Sequence, residues 1–143
     1  MINLDKDTEL RTILGRELPY HKARISCLSY LIMALIKVQS VNFQRLATGF
    51  DTGAKVESNH RRIQRFFKEF TFCPYLYALL LSKMLPVEGK YGLSLERTNW
   101  KFGARNINIL FVCVIYQGVG IPILWKILGD KRGNSSQAER VDL

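Results

Sequence analysis

The sequence predicts an α+β protein, with a helical region over residues 1–85 and a sheet region over residues 86–143. Apolar residues recur at helical spacing in the first region, most clearly over 21–38 and 56–70. β-branched and aromatic residues dominate the second region, where Gln117-Gly118-Val119-Gly120 marks a turn. The stretch from Val87 to Tyr91, which contains Gly89, is a linker that leads into the sheet region.

Five helices are expected in the first region. A short polar helix over 6–17 ends at Gly15 or Pro19, and the segment 21–38 forms the most apolar helix. The wide face of that second helix is typical of a buried bundle helix, and it comprises Ile25, Leu28, Leu31, Ile32, Leu35 and Ile36.

Capping and turn residues divide the rest of this region. Asn42 is a cap for a short helix over 42–49, and a turn follows at Asp51-Thr52-Gly53. The next helix covers 56–70. The last one begins at Pro74, which suits a first helical turn, and ends before Pro86.

Three strands are expected next, at 91–96, 107–116 and 119–128. The first connection, 97–106, is polar and contains Gly103, whereas the second is a tight turn. Beyond the third strand, Ser135 or Ser136 is a cap for a further helix. A sheet of three strands leaves an apolar face partly uncovered, so we expect low stability or self-association of this half.

The stretch from Asn106 to Trp125 contains no charged residue over twenty positions. A hydropathy window would mark it as a membrane helix. However, it contains Asn108 and Pro122, and the turn signal lies at its middle. We therefore interpret the stretch as a buried β-hairpin and expect no membrane partner.

The charge of the chain indicates a polyanionic partner. The net charge is +9, with +6 in residues 1–90 and +3 in residues 91–143. An excess of this kind favours nucleic acid, and double-stranded DNA is the partner that we expect. The polar start MINLDKDTEL is unlike a signal peptide, and Cys27, Cys73 and Cys113 lack metal-ligand spacing. These features favour a cytoplasmic protein with reduced cysteines.

The helix over 56–70 carries the densest group of basic residues. Ile63, Phe66, Phe67 and Phe70 follow helical spacing and are expected to form its buried stripe. Away from that stripe lie the four cations that we expect to contact DNA phosphates: Arg61, Arg62, Arg65 and Lys68. With the preceding short helix they suggest a helix-turn-helix-like element, although the loop 50–55 is longer than usual. The alternative is a solvated basic face of a bundle helix.

Glu96 stands at the end of the first expected strand, beside Arg97 and Trp100. A carboxylate in that position can hold a divalent metal for phosphoryl chemistry, although most such carboxylates are merely solvated. Arg97 and Lys101 lie near this strand and are further candidates for binding DNA phosphates. Trp100 and Trp125 are expected to pack at the core or the sheet edge rather than to stack on bases.

Glu96 is part of a longer sequence motif, in which the order of the residues along the chain is the informative feature. It comprises Glu96-Arg97-Thr98, Trp100, Gly103, Asn106-Ile107-Asn108-Ile109-Leu110, Tyr116-Gln117-Gly118, Pro122, Leu124-Trp125 and Lys131-Arg132-Gly133-Asn134-Ser135. This pattern resembles the transposases of the insertion sequence four family, the cut-and-paste DDE enzymes. The upstream stretch Glu57-Ser58-Asn59-His60-Arg61-Arg62 with Phe66-Phe67 is similar to the same family. The similarity spans roughly residues 38–143.

The resemblance implies the opening three strands of a ribonuclease H-like core and a bacterial protein associated with the nucleoid. It implies metal-dependent cleavage and strand transfer at the terminal inverted repeats of an element, with Mg²⁺ or Mn²⁺ as cofactor. Glu96 takes the position of the first metal-binding acid, where the family has aspartate. The family's second and third acids have no counterpart here, so we expect a catalytically incomplete N-terminal fragment that retains DNA binding.

Other interpretations stay open from the sequence. The enzyme could be completed by a second chain, or the chain could be a remnant that neither folds well nor functions. A further alternative is unrelated to the resemblance: a small basic helical regulator that binds DNA through residues 56–70 and carries out no catalysis.

Overall fold

The computed structural model describes residues 4–86, 89–129 and 137–138 of the chain. Within these residues the α+β prediction is confirmed, since five helices precede a three-stranded sheet. The elements are α1 (Leu4–Glu17), α2 (Lys22–Val38), α3 (Phe43–Thr48), α4 (Val56–Glu69), α5 (Pro74–Met84), β1 (Gly92–Phe102), β2 (Arg105–Tyr116) and β3 (Val119–Leu128). The expected helix cap at Ser135 or Ser136 and the segment 131–135 lie outside the described residues.

The chain divides into two compact units, Met1–Thr71 and Phe72–Leu143. Helix α5 therefore belongs with the sheet, whereas the sequence alone places the boundary between residues 85 and 86. Packing explains the difference, because the ring of Tyr77 in α5 meets Trp125 in β3 edge-to-face, with 5.2 Å between ring centroids. The connection after α5 looks like a linker in sequence, but aromatic contacts tie the helix to the strands that follow it.

The first unit is built around α2, which supplies the centre of its apolar core. The buried residues of that core are Cys27, Leu31, Ala34, Leu46, Ala47, Phe50, Ile63 and Phe66. Helix α1 joins α2 through polar contacts, since the Ser29 hydroxyl donates a 2.6 Å hydrogen bond to the Asp7 carboxylate. The expected cap of α3 is confirmed, because the Asn42 side chain accepts a hydrogen bond from the amide of Arg45.

The sheet of the second unit is an antiparallel meander in the order β1-β2-β3. The turn between β2 and β3 has positive φ at Gln117 and Gly118, the geometry of a tight two-residue hairpin. The charge-free stretch therefore forms a hairpin, as expected. No helix in the described part of the chain is long and apolar enough to cross a membrane.

The first strand is longer than the sequence predicts. β1 continues to Phe102, so the expected polar connection over 97–106 is wrong, and the turn reduces to Gly103 and Ala104. Gly103 has a φ of +60°, which a two-residue hairpin requires at its first central position. Polar residues are compatible with this strand because one face of an antiparallel sheet can stay in contact with solvent. Glu96 consequently lies in the middle of β1 and not at its end.

Candidate nucleic-acid interface

Helix α4 is positioned by a stripe of buried side chains along one side. Asn59, Ile63 and Phe66 are buried, at helical spacings of four and three residues. Phe67 was expected in this stripe, but 56% of it is exposed. It lies about 100° around the helix from Phe66, and its ring stacks on Phe43 of α3 at 5.0 Å. The buried stripe is therefore narrower than expected, and Asn59 belongs to it.

The four predicted DNA-binding residues of α4, namely Arg61, Arg62, Arg65 and Lys68, are all exposed. At about 100° per residue they occupy roughly a third of the helix circumference, on the side away from the stripe. Within the described residues none of the four forms an ion pair. Because the four cations outnumber the carboxylates of Glu57 and Glu69 on this helix, this surface, which we call the α4 basic face, can attract phosphates.

Helix α4 is held against the preceding loop by a buried amide, Asn59, that the sequence did not single out. The side-chain oxygen of Asn59 accepts a 2.9 Å hydrogen bond from the hydroxyl of Thr52, and its amide nitrogen donates to the carbonyl of Ala54 at 3.5 Å. Asn59 is only 1% exposed. Its signal in the sequence is a polar residue four positions before Ile63, in line with the apolar stripe.

Glu96 is exposed and is paired with Phe111 of β2 across the sheet. Its carboxylate accepts a 3.0 Å hydrogen bond from the hydroxyl of Ser94. The same carboxylate lies beside Gly120 of β3, where an added Cβ would stand 3.3 Å from Oε1. Burial raises the pKa of the neighbouring Cys113 thiol, and the charge of Glu96 raises that pKa further, whereas a hydrogen bond with Ser94 lowers it.

The structure does not bring Arg97 and Lys101 together with Glu96. Successive side chains of a strand point to opposite faces. Arg97 and Lys101 therefore lie on one face of β1, and Glu96 lies on the other. Arg97 is half-buried and Lys101 is exposed. Of the two tryptophans, Trp125 packs on Tyr77 as expected, whereas Trp100 is 60% exposed on the Glu96 face.

A metal site requires several converging ligands, and Glu96 has few around it. In residues 4–86, 89–129 and 137–138, no group of three His, Cys, Asp or Glu side chains could hold a metal ion. Asp130, Glu139 and Asp142 lie outside these residues. A lone carboxylate with a serine hydroxyl and a thiol nearby does not fit a two-magnesium centre, which needs oxygen ligands from several carboxylates.

The α4 basic face is thus the most developed candidate site, and Glu96 stands apart from it as a single acid. Comparison with known proteins identifies neither the α4 basic face nor the Glu96 site. No family model, no curated protein and no solved structure matches the chain.

Proposed function

We propose that this chain binds double-stranded DNA through the α4 basic face. The observation that carries the proposal is the arrangement of Arg61, Arg62, Arg65 and Lys68, which are exposed together on one side of a helix anchored by its other side. Cations on one side of a helix can contact neighbouring phosphates of a duplex together, and such contacts position a protein on DNA. The net charge of +9 adds a long-range attraction that speeds the encounter with DNA.

Helices α3 and α4 together form the recognition element in this proposal. The stacked rings of Phe43 and Phe67 join the two helices, and the bonds from Asn59 to Thr52 and Ala54 fix the loop between them. In a helix-turn-helix arrangement the second helix approaches the DNA, which is the role that we give to α4. The four cations set position and affinity, because phosphate contacts carry no sequence information directly.

We also propose that the chain is a catalytically incomplete transposase of the insertion sequence four type, which binds the inverted repeats at an element's ends in a bacterial nucleoid. This identity rests on the motif resemblance around Glu96 and along α4. A meander of three antiparallel strands supports it, since the opening of a ribonuclease H-like core has such strands. Mg²⁺ or Mn²⁺ would be the cofactor. Because Glu96 is a lone carboxylate among the described residues, we derive no chemical step through a metal.

A small DNA-binding regulator without catalysis is the second candidate function. The observation that favours it is the compactness of Met1–Thr71, which has its own core and contains the whole α4 basic face. A unit of this kind can bind DNA without any contribution from the sheet.

The DNA-binding proposal is tested by titrating a fluorescent duplex and measuring anisotropy. We expect alanine at all four positions of the α4 basic face to weaken binding by at least about a hundredfold, since each lost phosphate contact removes favourable counterion release. The matched control removes four cations elsewhere, at Lys6, Lys37, Lys83 and Lys90, and should lose much less. If both variants bind equally well while remaining helical, the α4 basic face is not the interface.

Catalysis is tested separately, by incubating the purified chain and a labelled duplex bearing element ends with magnesium or manganese. We expect binding without nicking, both for the natural chain and for Glu96→Asp, because the described residues place one carboxylate where the reaction needs several. Nicking that disappears in Glu96→Ala would contradict this expectation and would show that a complete metal site forms. A preference for element ends over random duplex would distinguish the transposase from the regulator.

A further inference from the structure

A cleft of about 300 Å³ lies between α2 and α4, within the first unit. Its lining includes Arg24, Ser26 and Cys27 from α2, and Arg62, Arg65 and Glu69 from α4. A water molecule occupies about 30 Å³ in the liquid, so a tetrahedral oxyanion fits in the cleft together with part of its hydration shell. Arg61 and Lys68 belong to the α4 basic face but are not part of this lining.

The cleft has an excess of positive charge. Three arginines line it, Arg24, Arg62 and Arg65, against the single acidic residue Glu69. Arg24 and Glu69 form a long ion pair of 3.5 Å, and both side chains are partly exposed. A pair with this geometry contributes little, so Arg24 retains donor capacity for another acceptor. The guanidinium of Arg24 also lies over the ring of Phe70, 5.7 Å from its centroid, which orients it.

The start of α2, where Arg24 lies, adds to the positive potential. Lys22 and Arg24 lie in the first turn of that helix, and no acidic residue balances them there. The partial positive charge of a helix N-terminus disfavours cations and favours anions. Two cations at this end are therefore an unfavourable arrangement for the isolated helix, and a bound anion would relieve it.

The positive field reaches the floor of the cleft, where the thiol of Cys27 is buried. Burial raises the pKa of this thiol, while Arg62 from one helix and Arg24 from the other both lower it. The charges of one arginine from each helix therefore both act on this thiol. A group with several acceptor oxygens satisfies such a geometry better than a monodentate ligand, because arginine donates paired hydrogen bonds to oxyanions.

We infer that the cleft binds a phosphate group, held by Arg24 from α2 and by Arg62 and Arg65 from α4. Where that phosphate belongs to a DNA backbone, the inference rests on the proposed function and extends the interface from α4 to the start of α2. Free inorganic phosphate is the other source of the same chemistry. Glu69 competes with the anion for Arg24, so it keeps the site weak and exchangeable.

Amide chemical shifts of the ¹⁵N-labelled full chain test the inference. Two probes are titrated in parallel: a short unlabelled duplex, and inorganic phosphate against sodium chloride of equal ionic strength. We expect shifts at Arg24, Ser26 and Cys27. We expect Arg24→Gln to weaken this response about tenfold, the loss typical of one charge-assisted hydrogen bond. Glu69→Gln should strengthen it, and Arg24→Lys should restore part of it.

The control is Lys37→Gln, which removes the same charge from the other end of α2 and should leave the response unchanged. Shifts with the duplex alone would support a backbone phosphate in the cleft. Shifts with inorganic phosphate alone would support a small-anion site and count against the proposed function. A third outcome is that neither probe shifts the amide signals of Arg24 and Cys27, while the duplex does shift those of Arg61 and Lys68. This outcome overturns the inference but leaves the proposed function standing. No response to either probe overturns both.

Discussion

A single buried amide determines how the loop before α4 meets the helix. Asn59 occupies a position where an apolar residue would extend the stripe of Ile63 and Phe66, yet it is fully enclosed. Its bonds to Thr52 and Ala54 provide a partner for each end of the amide. A buried polar group without partners is costly, so this residue specifies one loop conformation more strictly than a leucine would.

We predict that Asn59→Ala lowers the free energy of unfolding by about 1–3 kcal/mol, because the Thr52 hydroxyl then loses its buried acceptor. Urea denaturation followed by the helical circular dichroism signal measures the change. Asn99→Ala is the control, since Asn99 is exposed on β1 and should alter that free energy by less than about 0.5 kcal/mol. Equal effects of the two substitutions would show that the Asn59 bonds are not needed.

The thiol of Cys27 predicts a dependence of stability on pH. Burial raises its pKa in the folded protein above the value in the unfolded chain, despite the opposing effect of Arg62 and Arg24. The folded state therefore binds this proton more tightly. Its contribution is fully present below the unfolded pKa and is lost as pH rises through the folded pKa.

We predict that the difference in unfolding free energy between the natural chain and Cys27→Ala shrinks as pH rises from 8 to 10. Denaturation curves at several pH values measure that difference, and the comparison cancels the titration of lysines and tyrosines common to both proteins. A difference that stays constant across this range would contradict the assignment of a raised pKa to the buried thiol.

At the scale of elements, the contact of α3 with α2 depends on a glycine. A Cβ at Gly49 would lie 2.7 Å from Cγ2 of Val38 and 3.0 Å from Cβ of Ala34. The first distance is shorter than real Cβ atoms show and the second is tighter than most, so an added Cβ requires α2 or the end of α3 to shift. Gly15 in α1 offers the contrast, because its nearest neighbour, Ile25, would be 4.0 Å from an added Cβ.

We predict opposite effects for the same substitution at these two glycines. Gly49→Ala should destabilise the protein by about 1–3 kcal/mol through overpacking. Gly15→Ala should stabilise it by about 0.5–1 kcal/mol, since alanine is the better residue within a helix. Thermal unfolding of both variants measures whether each substitution raises or lowers the stability. A Gly49→Ala variant of unchanged stability would mean that α2 and α3 are less tightly packed than the contacts indicate.

The elements were largely predictable because their signals are local. Helical spacing, the Asn42 cap and the Gln117-Gly118 turn each depend on neighbouring residues. The extent of β1 was not predictable in this way, because pairing with β2 keeps Arg97 and Lys101 in a strand despite their polarity. The exposure of Phe67 and the burial of Asn59 likewise depend on α3 and on the loop, which are tertiary contacts.

At the scale of the whole molecule, the two units carry different parts of the proposal. The α4 basic face and the cleft both lie in Met1–Thr71, whereas Glu96 lies in Phe72–Leu143. For this site the sequence predicts that Arg61, Arg62, Arg65 and Lys68 contact DNA, and the structure shows all four side chains exposed. The sequence also places Arg97 and Lys101 near Glu96, whereas they lie on the opposite face of β1 from Glu96. The opposite placement follows from the two-residue period of a strand, because β1 extends through Lys101.

Self-association stays a prediction at this scale. Trp100 and Ile127 are 60% and 70% exposed, and the strand register puts them on the same face of the sheet. Exposed apolar groups on a sheet favour contacts between copies. We expect the mass measured by sedimentation to rise with concentration, and to rise less in a Trp100→Ser, Ile127→Thr double variant. A constant monomer mass for both proteins would contradict the expectation.

The central claim is that phosphates are bound by the α4 basic face, and the salt dependence of duplex affinity tests it most directly. The logarithm of the association constant should fall linearly with the logarithm of salt concentration, with a slope of about −0.9 per phosphate contact. Replacing Arg61, Arg62, Arg65 and Lys68 with alanine removes four contacts and should make that slope shallower by about 3.6. An unchanged slope and affinity in a variant that remains helical would show that the DNA, if bound at all, lies on another surface.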